Sequence, residues 1–325
     1  MPKVLLSMVT WKAADITIDC IASIESEIAK LDDAHLVVVD NDSGDGSAEK
    51  IEAAIEARGW DRFATLVRSG KNGGFAYGHN CALRADLAAD SPADYAIMLN
   101  PDMIILPGAF TSLVEFMESH PRAGMAGARS QDEDGTVHSC SFRFPGVANE
   151  FASYARVGAI DRVLQDHIAR MPVRQDAHQV DWVSGACVIV RREVLEQVGL
   201  LDETFFLYYE ETDWMLRAKR LGWEIWHVPA AKVVHFVGHA TNIRSRNDER
   251  PGRRPQFWFE SRRHYYVKNF GRGYAALTDA AATAGILLWR LKLMVKREKN
   301  MDPPHLLRDL VRNGVAPPKQ RRTGW

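Results

Sequence analysis

The feature that most constrains this chain is the rhythm of its first hundred residues. Short apolar runs at 4–9, 36–39, 64–67 and 95–99 each stop at a polar turn. Between them lie stretches with helical spacing, such as Ile21, Ile24, Ile28 and Leu31, and later 81–87. Short apolar runs separated by helices read as strands of an α/β fold, with a mostly parallel central sheet flanked by helices. Sheets of that kind gather ligands at the carboxyl ends of their strands. The residues just past 9, 39, 67 and 99 are therefore where chemistry is expected.

Those positions carry distinctive turns. After 39 comes Asp40-Asn41-Asp42-Ser43-Gly44-Asp45-Gly46-Ser47. Its carboxylates are placed to accept hydrogen bonds from a base or a ribose, although the same residue types also make turns and helix caps. No Gly-x-Gly-x-x-Gly follows the first run, which argues against a dinucleotide-binding domain. After 67 comes Asn72-Gly73-Gly74-Phe75, with Gly78 and Asn80 beyond. Paired glycines at a helix start either leave N–H groups free for a phosphate or let the helix pack closely on the sheet. After 99 comes Asn100-Pro101-Asp102. Oxygen ligands at a strand end suit Mg²⁺ or Mn²⁺, ions that bind through one or two carboxylates plus substrate phosphates.

The second half is less regular. A strand at 125–128 leads to a hairpin around Asp134-Gly135, and residues 143–180 show no periodicity and read as a variable or mobile insertion. Pattern returns as an apolar run at 182–190, a helix at 192–198, an acidic helix from about Glu210, and short strands at 224–227 and 232–235. Glu210, Glu211 and Asp213 stand among Phe205, Phe206, Tyr208, Tyr209 and Trp214. A helix dipole stabilises carboxylates at such a start, while aromatic neighbours desolvate them and raise their pKa toward that of a useful general base. His235 ends the last strand, with His239 four residues on.

Charge is unevenly spread. Residues 240–325 hold 19 Lys and Arg against 7 Asp and Glu, so the rest of a chain with net charge −1 is strongly acidic. A basic C-terminal quarter is attracted to anionic surfaces. Residues 275–294 are apolar but interrupted by Asp279, Arg290 and Lys292, which leaves less than the roughly 20 residues that span a bilayer. The expectation is a helix lying among lipid headgroups, or one docked on the catalytic domain or a partner subunit. Arg244, Arg246, Arg250, Arg253 and Arg254 are candidates for an acceptor's pyrophosphate. Four scattered cysteines fit a reducing compartment, and the N-terminal MPKVLLSMVTW reads as a first strand rather than a signal peptide.

In this order and spacing, Val38-Val39-Asp40-Asn41-Asp42-Ser43, Asn72-Gly73-Gly74-Phe75-Ala76, Leu99-Asn100-Pro101-Asp102, Trp182-Val183-Ser184-Gly185-Ala186 and the stretch from Phe206 to Arg217 resemble family 2 glycosyltransferases of the GT-A fold. The similarity is strongest to the rhamnosyltransferase-like branch of bacterial cell-surface polysaccharide synthesis, and it covers residues 3–240. It implies an inverting transfer of a sugar, rhamnose in that branch, from a nucleotide-diphospho-sugar donor to a glycan or lipid-linked acceptor. It also implies a catalytic domain over 1–240, with a nucleotide-sugar half to 128 and an acceptor half beyond. Residues 241–325 would be a basic, helical extension that is membrane-associated or makes oligomer contacts. Thr10, Asp40, Asp42, Asn72, Gly73, Gly74, Phe75, Asn80, Asn100, Ser184 and Gly185 would contact the donor, and Trp182, Tyr209 and Glu210 the acceptor. Asp102 and His235 would hold the divalent metal, and Glu211 would be the base, with Glu210 or Asp213 as alternatives. Two positions depart from the family pattern: Asn100 stands where many relatives have aspartate, and Glu211 is one methylene longer than the usual base. The resemblance implies a cytoplasmic protein, peripheral on the inner face of the membrane, with no nucleic-acid role.

Two rivals fit less well. A nucleotidyltransferase would show a phosphate-gripping signature early in the chain. A non-catalytic binding module, stacking Phe257, Trp258, Phe259, Tyr265 or Tyr266 on bases, leaves the carboxylate cluster unexplained.

Overall fold

The computed structural model describes residues 2–158, 162, 164–236 and 252–315. His239, Arg244, Arg246 and Arg250 lie outside the described residues. The chain divides into two compact units, Met1–Phe142 with Arg170–Phe206 and Glu210–Ile243, and Arg143–Ala169 with Leu207–Tyr209 and Arg244–Trp325.

The first unit is a mixed α/β layer structure. Its strands are β1 (Lys3–Thr10), β2 (Asp33–Asp40), β3 (Ala64–Arg68), β4 (Tyr95–Leu99), β5 (Met103–Ile105), β6 (Ala123–Gln131), β7 (Ser141–Phe142), β8 (His178–Val180), β9 (Trp182–Val183), β10 (Cys187–Arg191) and β11 (Glu224–His235). The main sheet runs β3-β2-β1-β4-β10-β6-β11-β5, with β8 also on β11, and β7 pairs with β9 apart from it. β1 is parallel to β2 and β4, and β11 is parallel to β6. β10 runs antiparallel to both its neighbours.

Both faces of this sheet are covered, which is why the strands read as continuous apolar runs. Leu6, Met8, Ile97 and Leu99 point to one side, where α1 (Ala14–Ile28) and α4 (Ala109–Ser119) supply Ile21, Ile24, Phe110 and Leu113. Leu5 and Met98, one residue out of phase, point to the other side. There α3 (Gly74–Leu87) and α7 (Glu210–Arg220) supply Leu83, Trp214 and Met215. The remaining helices of the unit, α2 (Ser47–Ala57) and α6 (Arg192–Val198), fill the connections.

Three expectations are refined. The run 182–190 breaks into β9 and β10 around a buried turn at Ser184–Ala186. The two short strands at 224–227 and 232–235 are one strand, β11, with a register shift between Val228 and Lys232. Pro229 lies in that shift, where its missing N–H costs no ladder bond. The hairpin at Asp134-Gly135 is present, with Gly135 at φ +84° and Asp132 N–H donating to Thr136 O at 2.9 Å.

The second unit is helical. Within the segment read as an aperiodic insertion lies α5 (Val147–Ala155), which packs on the long α8 (Gln256–Lys296). α8 is two helices broken at Gly271 (φ 86°), so the aromatic, arginine-rich stretch before the expected helix at 275–297 is also helical. Tyr154, Phe259, Ala282, Ile286, Leu306 and Leu310 form the core, the last two from α9 (Leu306–Val315). At Gly285 an added Cβ would stand 2.6 Å from Phe151 O, so α5 and α8 touch backbone to backbone.

Candidate active site

The antiparallel β10 explains how two distant motifs meet. Its first residue, Cys187, pairs with the last residue of β4, Leu99. The turn before β10 therefore lies over the residues after β4, and Asn100 N–H donates to Ala186 O at 2.8 Å. β11 does the same from the other side: His235 pairs with Met103, and Phe236 N–H donates to Asp102 O at 3.0 Å.

Asp102 and His235 are thus brought together by two strand pairings. Asp102 is 3% exposed, and its Oδ1 lies 3.2 Å from His235 Nε2 without forming a hydrogen bond. Asn100 Nδ2 lies 3.4 Å from the same nitrogen. A buried carboxylate oxygen with no hydrogen-bond donor, beside an imidazole nitrogen, is a donor set that suits a divalent cation. Their separation is close to the about 3 Å spanned by adjacent ligands of an octahedral ion such as Mg²⁺. Among the described residues no three His, Cys, Asp or Glu side chains converge, so the pair fits an ion that completes its shell with phosphate and water oxygens.

Glu211 reaches the Gly185 turn from the first turn of α7. A Cβ added to Gly185 would lie 3.7 Å from Glu211 Cβ and 3.5 Å from the Phe75 ring. The buried Ser184–Ala186 turn thus has Asn100 hydrogen-bonded to it and Glu211 and Phe75 packed beside it. Burial pushes the Glu211 carboxyl up to about 7, against hydrogen bonds from backbone N–H groups at the helix start that favour its anion. Burial, and then the charge of Glu211, push Glu210 well above the ordinary range. Oε2 of each has no hydrogen-bond partner among the described residues. Asp213 differs: fully buried, it accepts from Arg217 Nε at 2.9 Å in an ion pair.

The loops after β1, β2 and β3 are tied to one another. Asn41 N–H donates to Thr10 O at 2.8 Å, and Asn41 Nδ2 donates to Asn72 Oδ1 and Gly74 O, both at 3.1 Å. Thr10 Oγ1 is 2.8 Å from Thr17 Oγ1. Asp40 is buried and accepts from the Ser43 N–H and hydroxyl, whereas Asp42 is exposed with a left-handed backbone (φ 60°).

The glycine pair packs closely on its neighbours. Gly74 N–H is taken by Asn72 Oδ1 at 3.2 Å and Phe75 N–H by Phe206 O at 2.9 Å. A Cβ on Gly74 (φ +87°) would sit 2.0 Å from Phe206 O, and one on Gly73 would meet the Tyr77 ring at 2.3 Å. Asn80, expected at the donor, is fully buried; its amide donates to Leu201 O and Glu203 Oε1, both at 2.9 Å, and accepts from Leu201 N–H. Its groups anchor the chain that leads to Phe206.

Of the remaining candidates, Ser184 N–H donates to Cys140 O at 3.0 Å, and Trp182 stacks on Phe142 with centroids 4.2 Å apart. Tyr209 belongs to the second unit, where its ring lies 5.4 Å from that of Tyr265 and 6.3 Å from that of Trp258. Residue reading missed Asn41 as the tie between two loops, since asparagine in a turn has a sufficient local explanation. It also gave no role to Trp11 and Lys12, although the strand-end rule pointed there; Trp11 is 44% exposed and Lys12 N–H donates to Ser43 Oγ at 2.8 Å.

Comparison with known proteins bears on this arrangement. A family model described as glycosyltransferase like family 2 matches residues 2–253. The chain belongs to glycosyltransferase family 2. This glycosyltransferase is 31% identical over 221 residues, 63% of its own length and 67% of the other's, to an N-acetylglucosaminyl-diphospho-decaprenol L-rhamnosyltransferase of Mycobacterium tuberculosis. It is 27% identical over 168 residues to rhamnosyltransferase WbbL of Escherichia coli, covering 51% of this chain and 62% of that one. Its fold is that of a mannosyltransferase of Pyrobaculum calidifontis in complex with GDP-Man and Mn²⁺, with TM-score 0.56 at 17% identity over 91% of this chain and 75% of the other. The glycosyltransferase is thus a GT-A enzyme of mixed α/β architecture whose similar relatives include rhamnosyltransferases.

Proposed function

We propose that the enzyme transfers a sugar, rhamnose by its likeness to those relatives, from a nucleoside-diphosphate donor to a hydroxyl of a polyprenyl-diphosphate-linked glycan, inverting the anomeric configuration. The acceptor oxygen forms the new bond at the anomeric carbon as the bond to the diphosphate breaks. Glu211 takes the hydroxyl proton. Its raised pKa suits a base working near neutrality, a role typically worth ~10²–10⁴ in rate. Asp102 and His235 would hold a divalent ion, Mg²⁺ or Mn²⁺, which when bound neutralises charge on the leaving diphosphate. Asn100 steadies His235, and the Ser184–Ala186 turn walls the space between.

One observation carries this reading: the Gly185–Ala186 turn packs beside Glu211 and hydrogen-bonds the strand end that bears Asp102. A base and a diphosphate-binding end beside one turn are what a single displacement requires. An acceptor of this class resides in a bilayer, so the enzyme works at a membrane surface.

The test is transfer to an N-acetylglucosaminyl-diphospho-polyprenol from a panel of nucleotide sugars with Mn²⁺, with the product's anomeric configuration read by NMR. Transfer from a nucleoside-diphospho-rhamnose with inversion is expected. A retained configuration, or no transfer from any donor that binds, would refute the reading.

A further inference from the structure

The C-terminal half of α8 presents an apolar face that nothing among the described residues covers. Leu277, Leu287, Leu291, Met294 and Val295 are 54, 52, 55, 72 and 78% exposed. Their spacing places them on one side of the helix, opposite the face that buries Ala282, Ile286 and Leu293 in the core of this unit. Large apolar side chains exposed in a row on a folded unit mark a contact surface.

What lies along the flank decides the occupant. Arg290, on the same helix, lines one open groove with His305, Arg308 and Arg312 from the start and body of α9. None of the three arginines makes a hydrogen bond or ion pair among the described residues, and Arg290 Nε is buried without an acceptor. By contrast, Arg253 and Arg262 of the same unit are both paired with carboxylates. Unpaired arginines gathered beside an apolar face complement a surface that is apolar below and anionic above. No helix among the described residues is long and apolar enough to cross a membrane.

We infer that the Arg290–Arg308–Arg312 groove binds phospholipid phosphates while the Leu287–Val295 face of α8 sinks into the headgroup and acyl boundary of an anionic bilayer. A guanidinium fork matches phosphate oxygens two at a time. The apolar row contributes burial that survives salt, and the arginines contribute attraction that salt screens. A second copy of this chain fits the face poorly, because self-pairing brings two uncompensated arginine clusters to the same interface. The inference needs no part of the catalytic reading, since vesicle binding is measured without donor or acceptor.

The experiment is flotation of the full chain with phosphatidylcholine vesicles and with vesicles that also contain phosphatidylglycerol, over a range of salt, beside sedimentation of the protein alone. Binding to the anionic vesicles only, weakening as salt rises, is expected. At about a tenfold gain for every 1.4 kcal/mol, and with surface arginines of this kind contributing as lysines do near anionic lipid, the Arg308→Ala/Arg312→Ala double variant should lose about 30-fold in partitioning. Leu287→Ser/Leu291→Ser should weaken binding at every salt concentration. Both variants change exposed or groove-lining residues, and an unchanged circular dichroism melt verifies their fold. Failure of the wild type to float at low salt overturns the inference. So does undiminished binding by both variants, or a dimer in solution that the serine variant dissociates.

Discussion

At the scale of residues, the two adjacent glutamates are the sharpest feature. Both carboxyls are pushed up by burial, and Glu210 is raised further by the charge of Glu211. The two carboxyls titrate as one pair, in which an anion on either disfavours an anion on the other. A base must be deprotonated to act, so kcat/KM should climb about tenfold per pH unit below about 7 and level off above it. The Glu210→Gln variant, which removes one member of the pair but keeps its shape, should retain such a limb, whereas Glu211→Gln should lose the activity it describes. A limb that moves with Glu210→Gln and survives Glu211→Gln would reverse the assignment. Stability follows with a definite sign. An acid whose folded pKa is raised favours the protonated folded form, so its contribution is complete below the ordinary glutamate value and is lost as pH rises through about 7. The melting temperature of Glu211→Gln should overtake that of the wild type at pH 8 but not at pH 5.

At the scale of elements, the site depends on where loops are forced to touch. Gly74 adopts φ +87° with Phe206 O where a side chain would begin. Gly74→Ala should cost about 1–3 kcal/mol in backbone strain alone, and more as the 206 segment retreats. Loss of donor binding out of proportion to the drop in melting temperature is the expected signature. β1 to β4 and α1 were legible because each carries its own period: β4 is buried at every position, and α1 shows Ile21, Ile24 and Ile28 on one face. What was not legible is long-range. α5 was invisible because the face it buries is matched by α8, more than a hundred residues later. β11 looked like two strands because a register shift interrupts its alternation. Asp102, His235 and Glu211 stood out as candidates because charged side chains at strand and helix ends lack a reason in packing. The ties of Asn80 to Leu201 and Glu203, more than 120 residues later in the chain, and of Gly74 to the Phe206 carbonyl leave no mark in sequence.

At the scale of the whole molecule, the chain separates acidic and basic work between two units. In the helical unit the buried Arg262 is matched: 2% exposed, it donates to Glu150 Oε1 at 3.0 Å and pairs with Asp279, and Tyr266 also donates to Glu150 at 2.7 Å. Arg262→Ala would strand a buried carboxylate, at a cost of about 3–5 kcal/mol. Faster hydrogen exchange over residues 147–155 should report it, and exchange at the wild-type rate there would speak against that tie. The first unit holds the pairing on which the account turns, with Asp102 and Glu211 set beside one turn. Donor binding and transfer, measured side by side in Asp102→Ala and Glu211→Gln, test this most directly. The account predicts that Glu211→Gln binds the nucleotide sugar as the wild type does yet transfers at least about 10²-fold more slowly, while Asp102→Ala loses Mn²⁺-dependent binding of the nucleoside diphosphate. Transfer by Glu211→Gln at close to the wild-type rate would contradict it.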